Sequence, residues 1–132
     1  TGELLKVVDL EDAADRLVET YSKGMIHRLQ IARGSVNNPK IVFMDEPTVG
    51  LDPVGANMLR NIIRKLKADG RTVLLTTHYM QEADELCDRI VVINKGKMIA
   101  MDTPENLKAE YGPKGSDSSL EQTFLALIKE NK

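Results

Sequence analysis

Two segments of this 132-residue chain end in the residue types that phosphate chemistry needs. Ile41-Val42-Phe43-Met44 is a continuous apolar run that stops at Asp45-Glu46-Pro47, and Thr72 to Thr76 is a second run that stops at Thr77-His78. In an open parallel sheet, ligands bind beyond the carboxyl ends of the strands, so neighbouring strands would bring two acids and an imidazole to one rim. Phosphoryl transfer requires a hard oxygen ligand for Mg²⁺ and an acceptor for the proton of the attacking water. One carboxylate cannot readily do both. Successive residues at a strand end tend to point to opposite sides, so Asp45 and Glu46 can face the metal and the water separately. An N–H of His78 can hold a γ-phosphate without carrying a permanent charge. Taken singly, an acid pair after a strand is more often a solvated loop, and a lone histidine a satisfied hydrogen-bonding group. Their joint placement favours chemistry.

Ser22-Lys23-Gly24-Met25 is a further candidate. A helix N-terminus offers unpaired N–H groups and the positive end of the dipole, and Gly24 lets an anion approach the backbone. Local sequence alone favours the plainer reading, in which Ser22 caps a helix and Gly24 is tolerated in its first turn. Asp52 has the same two readings, because a helix cap already explains it.

The elements that must position these residues follow from periodicity and punctuation. Thr1 to Thr20 reads as two short amphipathic helices broken near Asp9-Leu10. Met25, Leu29, Ala32 and Val36 recur at helical spacing after an N-cap at Ser22, until Asn37-Asn38-Pro39 stops the helix. The run from Ile41 to Met44 predicts a strand buried on both faces. Asp52-Pro53 predicts a cap and first helical position for a helix through about Ala68, closed by Gly70. Thr72 to Thr76 predicts a second buried strand, and the pair with its intervening helix reads as a βαβ unit with parallel strands. Met80, Ala83, Leu86 and Cys87 mark another helix. Ile90 to Ile93 and Met98 to Met101 flank Asn94-Lys95-Gly96-Lys97 as a hairpin. Thr103-Pro104 opens a helix ending near Tyr111-Gly112, and Gly112 to Ser118 is a loop. Ser118-x-x-Glu121 has capping-box spacing before a closing helix with Leu120, Phe124, Leu127 and Ile128 in its apolar stripe.

Composition narrows the function classes. With 42% hydrophobic and 29% charged residues the chain has material for a modest core. A net charge of -2 leaves no excess of positive charge for general nucleic-acid binding. Cys87 is the sole cysteine, so no intrachain disulfide is possible, and a small packed hydrophobe in a reduced cytosolic setting is expected. The apolar runs fall far short of the ~20 residues that span a bilayer.

In order, Tyr21-Ser22-Lys23-Gly24-Met25, then Ile41-Val42-Phe43-Met44-Asp45-Glu46-Pro47-Thr48-Val49-Gly50-Leu51-Asp52-Pro53, then Thr76-Thr77-His78, the chain resembles the ATP-binding-cassette family. The resemblance covers nearly the whole chain, and its E-P-T-x-G-L-D-P run is the most specific part. It implies an α/β chain with a partial P-loop NTPase fold: parallel strands with flanking helices, plus a C-terminal β-hairpin and helices. Residues 1–38 would be part of the helical signature subdomain, 39–111 the C-terminal part of the ATPase core, and 112–132 a loop and C-terminal helix.

The resemblance also implies roles. Asp45 would hold Mg²⁺ through water, Glu46 would be the general base and His78 the switch histidine at the γ-phosphate. Asp52 would lie in the D-loop, and Ser22, Lys23 and Gly24 would meet ATP held by the P-loop of a second nucleotide-binding subunit arranged head to tail. Transmembrane permease subunits would complete the assembly at the inner face of the cell membrane, with the ATPase on the cytoplasmic side and no nucleic acid involved.

Two departures from the family pattern matter. The usual signature is L-S-G-G-Q, whereas Tyr21, Lys23 and Met25 stand here for Leu, Gly and Gln. This form and the ending Ser119 to Leu127 are similar to exporters of the drug, antibiotic and sodium type. No G-x-x-x-x-G-K-[ST] occurs, since the only Gly-Lys pair, Gly96-Lys97, is followed by Met98. The family's first strands, P-loop helix and Q-loop are therefore expected to precede Thr1, and the isolated chain is expected to bind ATP weakly and not turn it over. Two other classes compete: a non-catalytic module lending Ser22 and Gly24 to a complete cassette, and a soluble cassette protein of translation or DNA repair. Retention of Glu46 and His78 speaks against the first, and the lack of added nucleic-acid-binding segments against the second.

Overall fold

The computed structural model describes residues 2–114 and 117–131. The chain divides into two compact units, residues 1–76 and 77–132.

In the first unit, α1 (Gly2–Val7) is followed by a reversal at Asp9, whose φ of 55° lies in the left-handed region. The second amphipathic helix expected before Thr20 does not form. In its place stand two single 3₁₀ turns, Glu11–Ala13 and Val18–Thr20. The Ala13 carbonyl shows why: it accepts from Arg16 N–H at 3.0 Å and from the Tyr21 hydroxyl at 2.6 Å, bonds that tighten the turn and tie it to later chain. Leu17, an expected apolar contact, is 72% exposed.

Ser22 caps α2 (Lys23–Gly34), accepting from Met25 N–H at 3.2 Å. The helix stops short of Val36, which is left exposed, and Asn38 takes a φ of 50° before the first strand. Strands β1 (Ile41–Asp45) and β2 (Thr72–Thr76) are parallel, with Ile41 opposite Thr72 and Asp45 opposite Thr76. Between them runs α3 (Pro53–Ala68), which packs along β2 and buries Ala56, Leu59, Ile62, Ile63 and Leu66. Asp52 Oδ1 accepts from Gly55 N–H at 3.0 Å, and Pro53 occupies the first turn. Gly70, at φ 81°, turns the chain so that Arg71 N–H closes back on Leu66 O at 3.1 Å.

The βαβ expectation therefore holds, but burial on both strand faces does not. Ile41 is 54%, Phe43 73% and Leu74 55% exposed, while Met44 is buried. The register puts Ile41, Phe43 and Leu74 on one face, and α3 packs on the sheet without covering it.

The second unit is built on α4 (Met80–Leu86), an antiparallel hairpin of β3 (Ile90–Asn94) and β4 (Lys97–Asp102), then α5 (Pro104–Tyr111) and α6 (Leu120–Glu130). Lys95 and Gly96 both have positive φ, 48° and 75°, as a two-residue primed turn requires. Thr103 caps α5 and Pro104 opens it. The capping box of α6 lies one residue later than Ser118-x-x-Glu121: Ser119 Oγ accepts from Gln122 N–H at 3.2 Å and Gln122 Oε1 from Ser119 N–H at 3.1 Å. Ser118 instead turns its hydroxyl to the Lys108 carbonyl. Part of the expected loop, residues 115 and 116, lies outside the described residues. Ala83, Val92, Leu107, Leu120 and Leu127 form the core, with half-buried Cys87 packed against it. No helix of the described residues is long and apolar enough to cross a membrane.

Candidate functional site

The parallel pairing of β1 and β2 carries Asp45 and Glu46 to the carboxyl end of the sheet. Asp45 is the last strand residue, directly across from Thr76. Glu46 N–H reaches back to Thr76 O at 2.9 Å and to Thr76 Oγ1 at 3.2 Å. The Thr76 hydroxyl in turn donates to Asp45 Oδ1. A hydroxyl has one proton, and an N–H can only donate, so the direction of this relay is fixed. Asp45 accepts, and one of its oxygens is held by the neighbouring strand. Thr76 is the residue that sequence reasoning passed over. Its signal was present in the T-T-H run, whose first threonine ends the strand beside the acid pair.

Glu46 adopts φ 45°, in the left-handed region that a residue with a Cβ enters at a cost of roughly 1–2 kcal/mol. The strand therefore ends in a sharp turn at the second acid. Val49 N–H closes on Glu46 O at 3.2 Å and Leu51 N–H on Thr48 O at 3.2 Å, so the segment from Glu46 to Leu51 is a succession of tight turns leading to the Asp52 cap. Thr48 is buried at 5% exposure, with no hydrogen-bond partner for Oγ1 among the described residues.

The N-terminus of α2 meets this loop. A Cβ at Gly50 would collide with Lys23 Nζ, so the lysine chain lies across that glycine, whose φ is 74°. Leu51 approaches Gly24, where an added Cβ would make only an ordinary 3.8 Å contact. The described packing does not demand glycine at position 24, although glycine in a helix costs roughly 0.5–1 kcal/mol relative to alanine. His27 Nδ1 lies 3.0 Å from the Pro47 carbonyl oxygen. On its other side the helix start is anchored by Tyr21 to Ala13, and Arg28 donates to the Val8 and Asp9 carbonyls at 3.1 and 2.8 Å. Ser22, Lys23, Gly24, Asp45, Glu46 and Asp52 thus all belong to the first unit.

His78 follows Thr76 by two residues and belongs to the second unit. Its ring tilts against Tyr79 with centroids 4.3 Å apart, and Thr77 Oγ1 accepts from Tyr79 N–H at 3.0 Å. Among the described residues no group of three or more His, Cys, Asp or Glu side chains could hold a metal ion by itself. A single anchored carboxylate suits Mg²⁺, which keeps several waters and shares its coordination with substrate phosphates.

The chain is similar to ATP-binding subunits of transporters. The sequence model of the ABC transporter family matches residues 1–49. A fluoroquinolones export ATP-binding protein of Mycobacterium tuberculosis is 53% identical over 106 residues, which is 80% of this chain and 35% of the relative. The daunorubicin/doxorubicin resistance ATP-binding protein DrrA of Streptomyces peucetius is 51% identical over 111 residues, 84% of this chain and 34% of the relative. The chain spans about a third of the length of these curated relatives. A solved ATP-binding subunit of an ABC transporter superposes with a TM-score of 0.77 at 29% identity, covering 96% of this chain and 52% of that one.

Proposed function

From the premise that this chain is a segment of the ATP-binding cassette of the ABC transporter family, we propose that it supplies the hydrolytic side of an ATPase that powers export across a membrane. The observation that carries the proposal is the relay at the end of the parallel pair. Thr76 holds Asp45 by one oxygen and Glu46 by its N–H, so two carboxylates with separate tasks leave the same strand end.

In this reading Asp45 is the protein's oxygen ligand toward Mg²⁺, reached through water. The cation, when bound with ATP, neutralises charge on the β- and γ-phosphates. Glu46, turned away from the strand by its left-handed backbone, orients the attacking water and accepts its proton. His78 donates a ring N–H to the γ-phosphate. Ser22, Lys23 and Gly24 form the face that meets nucleotide bound to a second cassette. A glycine that the described packing does not require supports close approach by something outside this chain. Asp52 caps α3 and sets the end of the loop between the acid pair and that helix. The phosphate cradle is assigned to the rest of the cassette, since the chain aligns with only about a third of the length of its relatives.

The division of labour proposed is a signature part over residues 1–38, a core part over 39–111 and a closing loop and helix over 112–132. The partners are a second nucleotide-binding subunit and transmembrane permeases, with the cassette at the cytoplasmic face. Drug-like cargo fits the names of the relatives, fluoroquinolone export and daunorubicin/doxorubicin resistance. Replacing Glu46 by Gln in the full-length subunit tests the assignment, since turnover is lost while ATP is still bound.

A further inference from the structure

His27 takes no part in the chemistry at the strand ends, yet its ring is hydrogen-bonded to the Pro47 carbonyl. A carbonyl oxygen only accepts, so Nδ1 carries a proton and the neutral ring is the Nδ1–H tautomer. Pro47 has no N–H, which makes this carbonyl its single backbone hydrogen-bonding group. The carbonyls on either side, Glu46 and Thr48, accept from Val49 and Leu51 within the loop. Of these three carbonyls, that of Pro47 is the one that meets another element.

Lys23 and His27 are four residues apart and share one face of α2, which meets the loop at Gly50 and Pro47 respectively. A left-handed Glu46 persists only where its surroundings over-determine it. Thr76 fixes the N–H of Glu46, and His27 fixes the carbonyl of the following residue, Pro47.

We propose that His27 is a positioning residue for hydrolysis: its Nδ1–H bond to Pro47 locks the turn carrying Glu46 to the helix carrying Ser22 and Gly24. The general base and the residues facing the second nucleotide then move as one body. This rests on Glu46 being the base. It assigns His27 no contact with substrate.

The experiment compares His27→Leu and His27→Gln in the full-length subunit assembled with its partners, alongside ¹⁵N spectra of the histidine-labelled wild type. His27→Leu lowers kcat by about tenfold while KM for ATP changes by less than about twofold, because a displaced base costs rate without loosening nucleotide. His27→Gln, which keeps an N–H donor, recovers kcat to within about threefold of wild type. The spectra show a protonated Nδ1 and a bare Nε2 in the neutral ring. Equal kcat for the Leu variant and wild type, or a bare Nδ1, overturns the proposal; if the Leu variant does not fold, the tautomer decides alone. Glu46→Gln measured in parallel separates the two levels. Turnover surviving that change removes the base assignment itself, whereas turnover lost there but intact in His27→Leu removes only the role of His27.

Discussion

Thr76 donates its hydroxyl to Asp45 across the parallel strand pair while the same oxygen accepts the N–H of Glu46. One side chain on β2 therefore sets both acids at the end of β1. Thr76→Val keeps shape and strand preference but removes the donor. Turnover of the full-length enzyme is expected to fall roughly tenfold, about the worth of one hydrogen bond to a charged group. The Mg²⁺ concentration for half-maximal activity rises with it. Thr76→Ser restores both, and a Val variant matching wild type in both would show the relay to be idle.

Ser22 is assigned two roles that one pair of variants can separate. Ser22→Ala loses the cap on Met25 N–H and costs about 1 kcal/mol of stability, as N-cap deletions do. Ser22→Asp caps as well as serine does, but puts a carboxylate where the proposal puts a phosphate. Thermal denaturation is expected to rank Asp with wild type, and ATP turnover to rank Asp below Ala. An Asp variant with undiminished turnover would leave Ser22 a cap only.

Thr48 carries a buried hydroxyl without a hydrogen-bond partner among the described residues. Desolvating such a group costs about 1–3 kcal/mol, and valine has the same shape without that burden. Thr48→Val is expected to leave the midpoint of chemical denaturation unchanged or raise it. A clear fall would mean that the hydroxyl is satisfied by water or by another part of the protein.

In the second unit, Asp102 Oδ1 accepts from Asn106 Nδ2 at 2.9 Å and from Thr103 N–H at 2.7 Å. The Asn106 side chain first, then the Thr103 N–H, holds the carboxyl below its ordinary value of 3.8. A group with a lowered folded pKa stabilises fully above its unfolded value and loses that contribution as pH falls through the folded value. The contribution of Asp102 is therefore intact at neutral pH and disappears below 3.8. A carboxyl ¹³C titration should give a midpoint below 3.8 that Asn106→Ala moves upward. An unchanged midpoint would leave the cause unexplained.

The features written as local rules were legible in the sequence. Asp52-Pro53, Thr103-Pro104 and Lys95-Gly96 each specify a cap or turn within a few residues, and each forms where expected. The acid pair at the end of a parallel strand was legible for the same reason, since an apolar run followed by charge and proline marks a strand end. What could not be read was whatever depended on distant partners. The segment before Thr20 has helical spacing, but Tyr21 draws the Ala13 carbonyl out of a helical pattern. Phe43 looks like a core residue, and its exposure depends on what packs against that sheet face. His27 and Thr76 gain their roles from Pro47 and Asp45, at separations of 20 and 31 residues, which no local pattern announces.

The central claim is that Glu46 is the general base of an ATPase completed by the rest of the cassette. The most direct measurement is ATP hydrolysis by the full-length subunit with Glu46→Gln, beside equilibrium binding of Mg-ATP to the same variant. The account predicts that kcat falls by about 10²–10⁴, the range for loss of a positioned base, with affinity for ATP retained. Wild-type turnover in the Gln variant would contradict it.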